Sequence, residues 1–123
     1  MTSAVPAQVP AADRGALRIA DRVVAKIAAH AAREVLVDAP QAEHVPRGTA
    51  PHASVSVRRK AARVRLSVEL GYPSDIGSVC RSVRQHVTER VQALTGMAVP
   101  EVAVEVERLH SPATRKADEE RVR

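Results

Sequence analysis

Leu66–Gly96 reads LSVELGYPSDIGSVCRSVRQHVTERVQALTG, and this stretch decides the fold. Just before and into it, Val64, Leu66, Val68 and Leu70 alternate with Arg63, Arg65, Ser67 and Glu69. A period of two is that of a strand with one apolar face and one wet face. The alternation stops at the Gly71-Tyr72-Pro73 corner. Pro73 suits the first turn of a helix, where its missing N–H is no loss. Asp75 just inside that turn favours the positive end of the helix dipole. Then the period changes. Ile76, Val79, Cys80, Val83, Val87, Val91 and Leu94 recur at three- and four-residue spacing and make one apolar stripe. Gly96 suits the left-handed position just past a helix end.

Working upstream, Ala20, Val23, Val24, Ile27, Ala28 and Ala31 form a second helical stripe within Arg14–Val35, with Asp21, Arg22, Lys26, His30 and Arg33 largely off it. Asp38–His52 holds three prolines and a glycine, so it is expected to be a loop. Its length is above the usual connection and suggests a mobile excursion. Ala53, Val55 and Val57 alternate with Ser54 and Ser56 as a first strand. The Arg58-Arg59-Lys60-Ala61 link is short enough for a hairpin, although it lacks the Asn-Gly or Asp-Gly that fixes a primed turn. Downstream, Val102, Val104 and Val106 alternate with Glu101, Ala103, Glu105 and Glu107 as a third strand.

The element order is therefore α-β-β-α-β. The fold class is α+β, a two-layer domain with two helices packed on one face of a three-stranded sheet. The β-helix-β crossover is expected to be right-handed. Strand order 2-1-3 is expected, with strand three running antiparallel beside strand one. The domain is expected over 14–110. Residues 1–13, rich in Ala and Pro, read as a disordered lead, and 111–123 as a disordered charged tail.

Composition narrows the function. The chain has 123 residues, one Tyr, no Phe and no Trp. Its core must come from Val, Leu, Ile and Ala, which bury less area each than aromatic rings. Modest stability, or support from self-association, is the expectation. The net charge of +5 permits an anionic surface, a nucleic acid or an acidic protein as partner without choosing among them. One cysteine, Cys80, rules out an internal disulfide and fits a reducing compartment. The first residues lack the pattern of a secretory leader, and no apolar run reaches membrane-spanning length. A cytoplasmic location is expected, with any membrane attachment indirect or electrostatic.

No catalytic constellation is legible, so an enzyme is not expected. His30, His44, His52, His86 and His110 fall on different elements without helical i, i+4 spacing and without a cysteine partner, so no metal site is expected. Cys80 lies in an apolar stripe and reads as a small buried hydrophobe. Gly71 and Gly77 form no phosphate-binding loop, because Pro73 lies between them and no Lys-Ser/Thr signature follows. No cofactor and no small-molecule substrate are expected. The candidate interaction surface is the polar sheet face and the hairpin: Arg58, Arg59, Lys60, Arg63, Arg65, Glu101, Glu105 and Glu107. Basic and acidic strands of one sheet can pair across the ladder, which makes this either a self-neutralised wet face or a docking face. The element order is loosely similar to that of KH-type RNA-binding folds. Their G-X-X-G clamp is absent, and Tyr72 is the lone stacking aromatic, so direct nucleic-acid binding is disfavoured.

On the residues quoted, the chain resembles the alkaline-shock-protein family of envelope stress proteins of Gram-positive bacteria. Gly15, Ile19, Val23, Ile27, Ala28, Ala31 and Val35 stand at the patterned positions of that family's first helix. Gly71, Tyr72 and Pro73, then Val83, Val87, Leu94, Thr95 and Gly96, match its strand-to-helix corner and helix end. The resemblance spans about 14–109. It departs after helix one, where Val35-Leu36-Val37-Asp38 replaces a Pro-Gly-Val, and at the hairpin, where Arg59–Ala62 has no glycine. The resemblance implies a non-enzymatic cytoplasmic protein that gathers beneath the membrane through a membrane-anchor protein and self-associates as a homo-oligomer. A small RNA-binding or regulatory module using the basic hairpin is the alternative.

Overall fold

The computed structural model describes residues 11–113, with side chains from Ala20 onward. Most of the expected lead and tail, 1–10 and 114–123, lies outside the described residues. The elements are α1 (Ala11–Leu36), a 3-10 turn (Ala42–His44), β1 (His52–Arg58), β2 (Ala61–Gly71), α2 (Ile76–Thr95) and β3 (Ala98–His110). This is the α+β order expected, with a mixed three-stranded sheet. Helix α1 takes in Ala11, Ala12 and Asp13, which the sequence reading placed in the lead.

The sheet order is β1-β2-β3, which corrects the expected 2-1-3. β1 pairs antiparallel with β2, and β3 pairs parallel with β2 rather than lying beside β1. The reason lies in the apolar rows. β2 carries Ala62, Val64, Leu66, Val68 and Leu70, all 3% exposed or less, whereas Ala53 and Val55 of β1 are only half-buried. The central strand lies under the seam between the two helices, where cover of the one packed face is most complete, so the longest continuous aliphatic row belongs there. β2 is 11 residues long against 7 for β1. Helix α2 then supplies the crossover that a parallel neighbour requires.

Both helices present small aliphatic side chains to that row. α1 buries Val24, Ala28, Ala31 and Ala32, and α2 buries Val79, Cys80, Val83, Val87 and Val91. The ends of the two expected stripes are not in the core. Val23 is 48% exposed beside Val24 at 1%, so it lies off the packed side of α1, and Leu94, in the last turn of α2, is 56% exposed.

The local signals divide. Gly96 caps α2 in the left-handed region (φ 71°), its N–H donating to the Gln92 carbonyl, as expected. Asp75, however, is the residue that caps the helix from outside. Its carboxylate accepts from the Ser78 N–H at 3.0 Å, worth about 1 kcal/mol. Pro73 therefore precedes the helix, joined to Tyr72 by a cis peptide bond, instead of opening its first turn. The hairpin closes as a two-residue turn despite lacking Asn-Gly: Arg59 (φ 51°) and Lys60 (φ 61°) both take the left-handed backbone. The segment expected as a free excursion folds onto the end of β2. Its 3-10 turn is closed by the His44 N–H to Gln41 carbonyl and Val45 N–H to Ala42 carbonyl bonds. The Gln41 carbonyl lies so close to Gly71 that a Cβ there would collide with it.

Candidate interaction surface

The helices cover one face of the sheet, and the other face is open. Register places the serines of β1 opposite the arginines of β2, Ser54 with Arg65 and Ser56 with Arg63. On the other side it sets Arg63 beside Glu101, Arg65 beside Ala103 and Ser67 beside Glu105. Over the first part of this face charge is thus sorted by strand, with hydroxyls on β1, guanidinium groups on β2 and carboxylates on β3; at its far end Glu69 of β2 lies beside Arg108 of β3 and the order reverses. Of the expected surface residues, the fold brings Arg63 and Glu101 into contact, at 3.4 Å with side chains 63% and 53% exposed. At that exposure solvent screening leaves such a pair worth under about 1 kcal/mol. Arg65, Glu105 and Glu107 share the face but make no ion pair among the described residues.

Arg58, Arg59 and Lys60 project from the hairpin tip and are all exposed. The Lys60 carbonyl accepts from the Ala98 N–H at 3.0 Å, tying the tip to the start of β3. The basic tip and the acidic row of β3 therefore begin at the same end of the sheet. Their 38-residue separation between Arg63 and Glu101 gives no hint of that in the sequence.

Three side-chain contacts lay beyond sequence reasoning. The Asp21 carboxylate of α1 accepts the Val57 N–H at 2.9 Å, on the free edge of β1. Glu34 of α1 meets His86 of α2 at 2.9 Å. That hydrogen bond is the main cause holding the Glu34 carboxyl below its ordinary range, with the nearby His30 and Arg90 charges helping. His110, 5% exposed, meets Glu69 at 2.6 Å at the far end of the sheet. The partners in these pairs are 36, 52 and 41 residues apart, and none belongs to a motif, so no sequence signal marked them.

A cleft of about 650 Å³ opens between the end of α1 and the 38–51 segment, with Arg33, Glu43, Arg47 and Glu69 on its walls. Its charges are of both signs and it lies off the sorted sheet face, sharing only Glu69 with it. Burial pushes the Cys80 thiol up, with the Arg84 charge opposing, which suits the inert core position read from its stripe. Among the described residues, no group of three or more His, Cys, Asp or Glu is placed to hold a metal ion. No helix among them is long and apolar enough to cross a membrane.

Residues 42–111 match the alkaline shock protein 23 family, described as having a cell envelope-related function. The match begins in the 3-10 turn and runs through β1, β2, α2 and β3, more than half of the chain. The chain belongs to the alkaline shock protein family. That family is not a known enzyme family. The match covers the whole sorted sheet face and leaves out α1, although the resemblance read from the sequence included that helix. No curated protein and no solved structure matches the chain.

Proposed function

We propose that this protein is a non-enzymatic interaction and scaffold protein of cell-envelope stress homeostasis. It is held at the membrane periphery by a separate membrane-anchor protein and associates with copies of itself. The observation that carries this reading is the open sheet face: in a chain of an envelope-related family, three strands present charged rows to solvent with no element among the described residues covering them. Anchoring through a partner follows from the charge. A net +5, with no helix among the described residues long and apolar enough to cross a membrane, gives little membrane affinity of its own. A fluorescent fusion in the native host should gather at the cell periphery and become diffuse when the anchor is deleted. Purified protein should scatter light as a dimer or larger. A diffuse fusion together with a monomer in solution would remove the scaffold reading.

A second reading is favoured by one observation, the exposed cluster Arg58, Arg59 and Lys60 at the hairpin tip, which makes no ion pair among the described residues. There the protein is a small RNA-binding module. RNA affinity would fall with salt at a slope of about one per phosphate contact, and Arg63→Glu with Arg65→Glu would abolish it. Pulldown from lysate with and without nuclease and detergent separates the two readings.

A further inference from the structure

Both edges of the sheet are incomplete. In the two-residue hairpin, Arg58 and Ala61 close the turn, so Ser56 and Ser54 direct their backbone groups toward β2. Ala53, Val55 and Val57 direct theirs outward. Of these, the Val57 N–H is taken by Asp21, which leaves the edge open at Ala53 and Val55. On the opposite edge β3 has β2 as its one strand neighbour. Its row Val102, Val104 and Val106 packs against the core yet stays half-buried, as do Ala53 and Val55. Helix cover at both edges is thus partial, with α1 reaching the β1 edge at Val57 through Asp21.

We propose that β3 of one copy pairs with β1 of the next, continuing the sheet from copy to copy with all helices on one side. This pairing rests on the self-association proposed above and names its surface. Direction follows from topology: β1 runs antiparallel and β3 parallel to β2, so stacked copies present β3 and β1 in antiparallel order. Setting Val55 of the second copy opposite Val104 also sets Val57 opposite Val102 and Ala53 opposite Val106, which joins the half-buried rows. The same register brings Arg58 opposite Glu101 and His52 opposite Glu107, with Ser54 against Glu105 on the open face. Cross-strand pairs of opposite charge stabilise and like charges oppose. The alternative of a two-fold β3–β3 pair centred anywhere from Ala103 to Val106 sets glutamate against glutamate. Charge therefore selects the head-to-tail contact, which leaves a free edge at each end and adds copies without a built-in stop.

Two variants block one edge each. Val55→Pro removes an outward N–H that no strand of its own chain uses. Glu101→Arg with Glu107→Arg, at exposed positions, puts bases opposite Arg58 and His52 and leaves the core untouched. In sedimentation, each variant alone should remain monomeric across concentrations where the unaltered protein associates. An equimolar mixture should form one-to-one dimers, because the first variant keeps an intact β3 edge and the second an intact β1 edge. Circular dichroism of each variant checks that the fold persists. Assembly by the doubly substituted, folded variant as strong as that of the unaltered protein would overturn the edge pairing, and so would a mixture that stays monomeric. Failure of the unaltered protein to associate at all would instead remove the self-association reading beneath it.

Discussion

The two faces of β2 are built from neighbouring residues and do opposite work. Val64, Leu66 and Val68 are at most 2% exposed, while Arg63 and Arg65 beside them are open to water. The covered face is a stability device: each fully buried Val or Leu contributes about 1.5–3 kcal/mol, and no aromatic ring is available to share the load. The open face contributes little to stability, since its Arg63–Glu101 ion pair is heavily solvated. On the function proposed above, what it offers is a pattern of charge for a partner to recognise. Substitutions should therefore separate into those that unfold the protein and those that alter only its associations.

The sharpest way to break that separation is on α2. Val83 is fully buried and Arg84, next in sequence, is not. Val83→Asp places an unpaired carboxylate in the core at a cost of several kcal/mol, against a total stability of about 5–10 kcal/mol, and should unfold the domain. Arg84→Asp should be tolerated. Equal midpoints in urea denaturation would mean that the covered face is not the source of stability.

Gly71→Ala should cost about 1–3 kcal/mol, because the new methyl group meets a backbone carbonyl, that of Gln41, with no flexible side chain to yield. A midpoint unchanged within error would mean the 38–52 segment does not pack on β2. The hairpin tip tests the reverse sign. Arg59 and Lys60 both hold the left-handed backbone, a conformation that costs most residues about 1 kcal/mol or more. Arg59→Asn with Lys60→Gly should raise stability by about 1 kcal/mol in thermal melts. A loss of stability would show that the two cationic stems hold the tip by contacts of their own.

Smaller effects belong to the open face and the helix surface. In a double-mutant cycle, Arg63→Ala and Glu101→Ala should show a coupling of under about 1 kcal/mol that fades in salt. A larger, salt-resistant coupling would erase the contrast between the faces. The least effect is expected at Glu34, whose carboxyl is held below its ordinary range by the His86 hydrogen bond. Folding favours the ionised form, so this contribution is intact at neutral pH and is lost as acid protonates the group. Glu34→Gln should flatten the acid limb of the stability–pH curve slightly. An unchanged limb would show that the contact is not kept in solution.

The amphipathic rows of β1, β2, β3 and α2 were legible because their periods of two and about 3.6 are local properties of the chain. Gly96 at the end of α2 was legible for the same reason, since only a residue at ease in the left-handed region closes a helix that way. The candidate surface was half legible: Arg63, Arg65, Glu101, Glu105 and Glu107 were assigned to a face, but not to neighbouring positions on it. Asp21, Glu34, His86, Glu69 and His110 carried no signal, because each contact joins elements far apart in sequence. Pro73 and Asp75 misled about where α2 starts, which is at Ile76 with Asp75 as its cap, since a proline and an acidic residue near a helix start are compatible with several cap geometries.

By itself the sequence determined the α-β-β-α-β order, the polar and apolar side of each strand, and the family that its strand-to-helix corner resembles. All of these follow from periodicity and short-range steric preference. Only the tertiary structure decided that β2 is central, that β3 lies parallel beside it, and that arginine and glutamate rows share an uncovered face. Strand order is a competition for helix cover between rows tens of residues apart, and burial settles it in favour of Val64, Leu66 and Val68 once the helices are in place.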